Sequence, residues 1–178
     1  MKMTVEAAQE VAAPIATAKK LVKTSNGLKS SRSNQFREIV GTYDADELSE
    51  EIRKSVEKRY DYVVLDGYLA HVNSVRLRLF AYNPRVCVVC KQKADRYIFE
   101  RLDPNNKSPH LNLYGKRKDG TDLLFTKDHI LPKSLSGSDS QFNMQVMCED
   151  CNHTKGHKIR KEDIPLILRQ IKEGKASV

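Results

Sequence analysis

Three side chains near the middle of the second half of the chain have the types needed for metal-assisted hydrolysis. Asp128 and His129 are adjacent, and Asn152 directly follows a Cys-x-x-Cys pair. Mg²⁺ prefers oxygen ligands and retains several waters, so one carboxylate and one amide oxygen are enough protein ligation. A neutral imidazole, with an unperturbed pKa of about 6.5, suits a general base near neutral pH. An activated water beside such an ion is what cleavage of a phosphodiester requires. The alternative is that Asp-His is an ordinary strand end.

Four cysteines form two close pairs, Cys87-Val88-Val89-Cys90 and Cys148-Glu149-Asp150-Cys151. A two-residue gap lets both thiolates of a pair turn onto one ion, and this spacing is typical of a tetrahedral four-cysteine zinc site. The other interpretations are a redox pair or unpaired buried thiols. Because four thiolates leave no open position, we expect a structural zinc whose loss unfolds this half of the chain. Such sites contribute roughly 10–16 kcal/mol in small peptides.

The positions of these residues on their elements make a geometric prediction. Neighbouring side chains on a regular strand point to opposite faces, so Asp128 and His129 converge only if the strand ends or bends there. Pro132, just downstream, is consistent with such an end. Asn152 lies in the first turn of the next helix, beside Cys151. The zinc would therefore fix the separation between Asp128 and Asn152.

Taken in order, these residues resemble a known family. The run Asp128-His129-Ile130-Leu131-Pro132, then Asn143, then Cys148-x-x-Cys151-Asn152-x-x-Lys155-Gly156 is similar to the HNH endonucleases, and most similar to their zinc-stapled branch in the ββα-metal, or His-Me finger, group. The resemblance covers roughly residues 85–160 and does not extend over 1–70. It implies DNA as the substrate, His129 as general base, and products with 5′-phosphate and 3′-hydroxyl ends. It further implies that Asn143 braces the Ser-rich loop rather than binding metal.

The chain departs from the family pattern at the residue that corresponds to the final His of the name HNH. Many members have His directly after the last Cys, whereas this chain has Asn152 there and His153 one residue later. An amide at this position favours a hard ion such as Mg²⁺ or Mn²⁺. His153 would replace Asn152 as a ligand only if the helix were rotated by one residue. The remaining histidines of this region, His110 and His157, are interpreted as structural or DNA-facing.

The charge of the chain favours a polyanionic partner. The formal net charge is +8, and the sequence pI is about 9.3; nucleic acid is the commonest partner for such a balance. The predicted nucleic-acid contacts are Lys116, Arg117, Lys118, Lys133 and Lys155, with Arg85, Lys127 and Lys158 as further phosphate contacts. For Lys155 the competing interpretation is a solvated helix lysine. The mean hydropathy of −0.58 and the lack of a long apolar run argue against a membrane span.

The elements that must position these residues predict an α+β fold. We expect a basic tail over 1–35, flexible or in contact with phosphates, then a helical extension over 36–84, and a zinc-containing nuclease domain with a C-terminal helix over 85–178. The predicted helices are Asp44–Tyr60, capped by Asp44, then roughly His71–Tyr82, a helix starting near Asp150, and one capped by Asp163. The predicted strands span 96–102, 110–115, 123–130 and 144–147.

The sequence thus predicts a metal-dependent DNA endonuclease of the ββα-metal type. One site cuts one strand, so a monomer should nick, and a double-strand break would need a dimer or a second event. A non-catalytic zinc-ribbon module that binds nucleic acid and regulates is the main alternative, and a purely structural zinc domain is a third. No secretory leader is evident, so we expect a cytoplasmic protein of a bacterial or phage-infected cell. Mobile-element, phage, packaging and restriction roles all remain open.

Overall fold

The computed structural model describes residues 20–22, 38–101 and 108–174. The predicted tail over 1–35 lies outside these residues except for a short strand, of which only the backbone is described. None of the described helices has the length and apolar character needed to cross a membrane.

A six-stranded sheet forms the framework, with strand order β1-β2-β5-β6-β7-β8 and antiparallel pairing throughout. A separate antiparallel hairpin, β3–β4, packs beside it. The strands of the sheet are β1 Lys20–Val22, β2 Glu38–Asp44, β5 Ala94–Arg101, β6 His110–Lys116, β7 Asp122–His129 and β8 Met144–Cys148. The hairpin consists of β3 Tyr62–Leu65 and β4 Tyr68–His71. The α+β fold class is therefore confirmed.

Apolar residues alternate along the strands, so the sheet packs on both faces. In β5, Tyr97 and Phe99 belong to the main core, whereas Ile98 between them belongs to a small cluster on the opposite face with Ile39 and Tyr114. The main core also contains Cys87 and Cys148. Two of the cysteines are thus embedded in the main packing of the molecule.

Two helices cover the main core. Helix α1 spans Ala45–Glu57, and the carboxylate of Asp44 caps it by accepting from the backbone N–H groups of Asp46 and Glu47, as predicted. Helix α2 spans Val75–Tyr82 and begins later than predicted because Ser74 caps it. The residues just before it form β4 instead.

The segment 36–84 is more than the predicted helical extension. It contains α1 and α2, but also β2 and the β3–β4 hairpin. Strand β2 is hydrogen-bonded to β5, so this segment shares one sheet with the residues after 85. The Val63–Tyr82 stretch was ambiguous because its apolar residues fit both strand and helix periods.

The C-terminal part follows the predicted element order. After β7, a loop with two 3-10 turns, Lys133–Leu135 and Gln141–Asn143, returns the chain to β8. Helix α3 spans Glu149–Lys155, and helix α4 spans Ile164–Lys172. The expected cap at Asp163 is wrong: its side chain makes no capping hydrogen bond, and instead its carboxylate is buried and accepts from Gln145 at 3.3 Å.

Candidate active site and metal centre

The four cysteine sulfurs form one cluster. Their Sγ atoms all lie within 4.8 Å of one another, and those of Cys90 and Cys148 are 3.7 Å apart. A tetrahedral zinc with Zn–S bonds of about 2.3 Å separates its sulfurs by roughly 3.8 Å. The cluster can therefore hold a metal ion such as zinc.

Backbone hydrogen bonds hold the first cysteine pair against the second. The N–H of Val88 donates to the carbonyl of Val146 in β8 at 3.1 Å. The N–H of Lys91 donates to the carbonyl of Cys87 at 3.0 Å and closes the turn that carries the first cysteine pair, called the knuckle below (residues 87–91). Cys148 ends β8, and Cys151 lies in the first turn of α3. Burial raises the pKa of the Cys87 thiol, but N–H groups of its neighbours outweigh burial and lower this pKa to about 7. Burial instead raises the pKa of the Cys148 and Cys151 thiols, so a metal ion would have to displace their protons on binding.

Asp128 lies in β7 and is buried. Its Oδ2 accepts from Gln145 Nε2 at 2.8 Å, and its Oδ1 accepts from Lys155 Nζ at 3.1 Å. Gln145 is its register partner on β8. The Lys155 ammonium also donates to the carbonyl of His129 at 2.8 Å. Both carboxylate oxygens thus have donors from neighbouring elements.

His129 is the last residue of β7, and its ring reaches the following loop. Its Nε2 lies 3.0 Å from Asp139 Oδ1, and the other oxygen of Asp139 accepts from Lys133 Nζ at 2.5 Å. Lys133, and then His129, hold the pKa of Asp139 at about 2. An ionised Asp139 can only accept a hydrogen bond. This favours the tautomer of His129 that carries hydrogen on Nε2 and leaves a free lone pair on Nδ1.

Asn143 ties the loop after β7 to itself. Its Oδ1 accepts from the Leu131 N–H at 2.8 Å, and its Nδ2 donates to the carbonyls of Leu131 and Ser138, each at 2.9 Å. Its own carbonyl accepts from the Ile130 N–H at 2.9 Å. The side chain is buried, and these bonds fix the loop that carries Asp139.

Asn152 lies on α3 and faces β7. Its Nδ2 donates to Thr126 Oγ1 at 2.9 Å, which leaves its Oδ1 as an acceptor. Thr126 and Asp128 are two residues apart on one strand, so their side chains share a face. His153, the alternative ligand, is exposed. The structure therefore brings Asp128 and Asn152 to the same side of β7.

Convergence of the Asp128 and His129 side chains required β7 to end or bend there, and the strand ends at His129 without bending before it. Strand β7 pairs with β8 in unbroken register through His129, opposite Met144. Adjacent side chains of a regular strand point to opposite faces. Asp128 and Asn152 thus lie on one face of the strand end and His129 on the other.

The predicted nucleic-acid contacts differ widely in exposure. Lys118, Lys133 and Lys116 are exposed. Lys133 is paired with Asp139 at 2.5 Å and Lys116 with Asp122 at 2.8 Å. Lys155 requires a correction: its side chain is 3% exposed and ion-paired with Asp128, so it supports the fold and is not available to a phosphate.

Arg117 requires a similar correction. Its guanidinium donates to Glu149 at 2.8 Å and to Asp150 at 3.0 and 3.1 Å, and these bonds, that to Asp150 first, raise its pKa. It clamps the β6–β7 turn to the first turn of α3. Among the further candidates, Arg85 is ion-paired with Asp46, Lys158 is exposed, and Lys127 lines a groove described below.

Two residues of the site, Asp139 and Gln145, belong to no recognisable sequence motif. Asp139 lies in a Ser-rich loop with nothing to distinguish it from a turn residue. Gln145 is found only through its pairing with Asp128, which a register alignment of β7 and β8 would have supplied. Their importance comes from tertiary contacts rather than from a motif.

Comparison with known families agrees with the motif. Residues 115–164 match a family model described as HNH endonuclease. This segment contains β7, β8 and α3 with Asp128, His129, Asn143 and Asn152, but not the first cysteine pair. Over this segment the chain is similar to the HNH endonucleases, and the resemblance identified from the sequence is confirmed. No curated protein and no solved structure gave a match.

Proposed function

We propose that the protein is a metal-dependent endonuclease that hydrolyses phosphodiester bonds in DNA. The observation that carries the proposal is the imidazole of His129, held at a strand end by Asp139 in a loop that Asn143 braces. This imidazole lies within the segment that matches the HNH endonucleases. A positioned base of this kind has no evident purpose in a merely structural zinc domain.

His129 acts as the general base in this proposal. With Nε2–H donated to Asp139, the free lone pair is on Nδ1, which takes the proton from the attacking water. The Asn143-braced loop restricts how far the ring can turn. Exposed lysines such as Lys118 and Lys133 would hold phosphates and contribute affinity that falls with salt but reads no sequence.

Asp128 and Asn152 would hold the divalent ion, Mg²⁺ or Mn²⁺. The donor set fits a hard cation: a carboxylate offers about four lone-pair positions, of which Lys155 and Gln145 use two, and the Asn152 Oδ1 remains an acceptor. When bound, the ion would stabilise charge on the phosphate and on the leaving 3′ oxygen. These ligands and His129 lie on opposite faces of β7. The scissile phosphate would therefore lie at the end of that strand, between the ion and His129.

The ion in the cysteine cluster is proposed to be a structural Zn²⁺. Four thiolates leave no coordination position for substrate, so its role is to hold the knuckle, β8 and α3 together. One nuclease site of this kind cuts one strand, so the monomer is expected to nick. A double-strand break would require two copies or two events.

Nicking of supercoiled plasmid tests the proposal. The zinc-loaded protein with Mg²⁺ should convert supercoiled to open-circular DNA, and His129→Ala should slow this by about 10²–10⁴-fold, the usual contribution of a general base. His153→Ala, which alters an exposed histidine on α3, is the matched control and should retain activity. Zinc content and circular dichroism of each variant verify folding.

A non-catalytic module that binds nucleic acid is the second candidate. The observation that favours it is the occupation of Asp128 by the buried Lys155 ammonium. This candidate predicts salt-dependent binding of DNA without cleavage in Mg²⁺ or Mn²⁺. Equal nicking by the parent and His129→Ala, or none by either, would contradict the nuclease proposal.

A further inference from the structure

A groove with a volume of about 700 Å³ opens beside the His129 face of β7. It lies between the β3–β4 hairpin, the start of α2 and strands β6 and β7. Its basic lining residues are His71, Arg76, His110 and Lys127, and no aspartate or glutamate is among its described lining residues. None of the hairpin or helix residues of this groove falls within the segment that matches the HNH endonucleases.

The hairpin presents an aromatic pair to this groove. Tyr62 and His71 are register partners, and their ring centroids are 5.2 Å apart. Tyr62 is 44% exposed. On the opposite face of the hairpin, Val63, Leu65 and Ala70 are each buried in the main core. The pair is thus a rigid platform with one open aromatic face, which is a favourable surface for stacking a base.

Two cations flank the platform. Arg76 donates to the uncharged oxygens of Asn112 and Leu111, at 2.6 and 2.8 Å, which orient the guanidinium. The acid that acts on its charge, Glu100, is buried and itself accepts from Asn112 at 2.5 Å. Lys127 is half-buried, and within the described ranges its ammonium has no ion pair or hydrogen bond. Both positive charges are therefore available to an anionic ligand in the groove.

The groove lies on the same face of β7 as His129, which is two residues beyond its lining residue Lys127. Lys127 and His129 are two residues apart on β7, so their side chains share a face and are separated by roughly 6.6 Å along the strand. Arg78, two residues after Arg76 on α2, donates to Gln141 of the loop after β7 at 3.3 Å. Helix α2 therefore connects the groove to the loop that holds His129.

We propose that this groove binds an unpaired stretch of nucleic acid next to the phosphate at His129, with a base stacked on Tyr62 and phosphates at Lys127 and Arg76. The assignment of the neighbouring phosphate as the scissile one rests on the proposed nuclease function. A cavity of roughly 300–1,000 Å³ holds a small ligand such as a nucleotide, and a base inside a duplex must leave its stack before it can stack on Tyr62. The site thus selects a single-stranded flank, and the protein prefers substrates with unpaired nucleotides beside the cleavage position.

Binding of a fluorescein-labelled dT12 oligonucleotide tests the stacking part without requiring cleavage. We would measure anisotropy with the full zinc-loaded chain and no added magnesium. Tyr62→Ala should weaken binding roughly five- to hundredfold, the range for loss of one stacked base, and Tyr62→Phe should bind like the parent. Tyr82→Ala removes a tyrosine of similar exposure, 49%, at the far end of α2, and should have no effect.

The salt dependence of the same binding tests the phosphate part. Lys127→Ala should reduce the slope of log affinity against log salt by about 0.7, as expected for loss of one single-strand phosphate contact. Lys58→Ala, at an exposed lysine beyond α1, should leave the slope unchanged.

Three results would contradict the proposed binding of single-stranded nucleic acid in the groove. They are parent-like affinity of Tyr62→Ala for dT12, an equal loss of affinity in Tyr82→Ala, or an equal loss of affinity of Tyr62→Ala for a 12-base-pair duplex. If the variants behave as expected but the parent does not nick plasmid, the binding proposal is supported and the nuclease proposal is contradicted.

Discussion

Lys155 and Asp128 form an ion pair inside the fold. Their side chains are 3% and 6% exposed, and their oxygens and nitrogen are further satisfied by Gln145 and by the His129 carbonyl. Taking two charges out of water is costly, and the pair is tolerated because each charge has several partners. The same ammonium competes with any metal ion for Asp128. In the proposed nuclease, affinity for the catalytic ion would therefore depend partly on how easily Lys155 moves.

Removing one member of this pair should be strongly destabilising. Lys155→Met leaves the Asp128 carboxylate buried without its counter-charge, and we expect a loss of about 3–5 kcal/mol in the free energy of unfolding. Adding Asp128→Asn in the same chain should recover most of that loss, because no unpaired charge remains. Urea denaturation of the single and double variants measures both terms.

Lys133 supplies the matched control for Lys155. It also pairs with an aspartate, Asp139, but both side chains are more than half exposed. Lys133→Met should leave the urea midpoint nearly unchanged, since solvent already screens the pair. Similar losses in the two lysine variants would show that burial at Lys155 does not have the energetic role assigned to it.

At the scale of elements, the loop between β7 and β8 is held by close backbone approach. A Cβ added at Gly137 would lie 1.8 Å from the carbonyl oxygen of Leu131 and 2.9 Å from Asn143 Nδ2. Gly137 N–H also donates to the carbonyl of Pro132 at 3.0 Å. The glycine is needed here for space, since its φ is not in the left-handed region.

Gly137→Ala should therefore displace the loop that carries Asp139. We expect a loss of roughly 1–3 kcal/mol in the free energy of unfolding, typical of overpacking, and at least a tenfold loss of nicking because His129 loses its support. Thermal unfolding and plasmid nicking check the two effects. Ser138→Ala, which keeps the backbone carbonyl that Asn143 uses, is the neighbouring control. Full activity of Gly137→Ala would contradict the claim that the geometry of this loop positions His129.

Some of these elements could be predicted from sequence and others could not. The four strands from 94 onward and the cysteine cluster follow from apolar alternation and fixed ligand spacing, which are local properties. The β3–β4 hairpin was missed because Val63–Tyr82 fits both periods. The burial of Lys155, the clamp at Arg117 and the placement of Asp128 and His129 on opposite faces depend on long-range register. No pattern within one segment encodes these contacts.

For the whole molecule, the decisive feature is that one core spans both halves of the chain. Leu48 and Ile52 of α1 belong to the same buried cluster as Cys87, Cys148 and the strands near the candidate site. The sheet also passes without interruption from β2 to β8. Unfolding caused by loss of a metal from the cysteine cluster should therefore extend to both halves of the chain. From the sequence alone, we expected it only in the half that contains the cysteines.

Chelation of the metal should unfold the described chain as one unit. Structural zinc contributes about 10–16 kcal/mol, whereas a typical domain is stable by only about 5–15 kcal/mol. Hydrogen exchange followed by mass spectrometry should show amides of α1 and β2 losing protection together with those of β8 and α3, and added zinc should restore both. Chelator already saturated with zinc is the control. If α1 and β2 kept their protection while β8 and α3 lost theirs, the two halves would be separate folding units, and the shared core would not couple them.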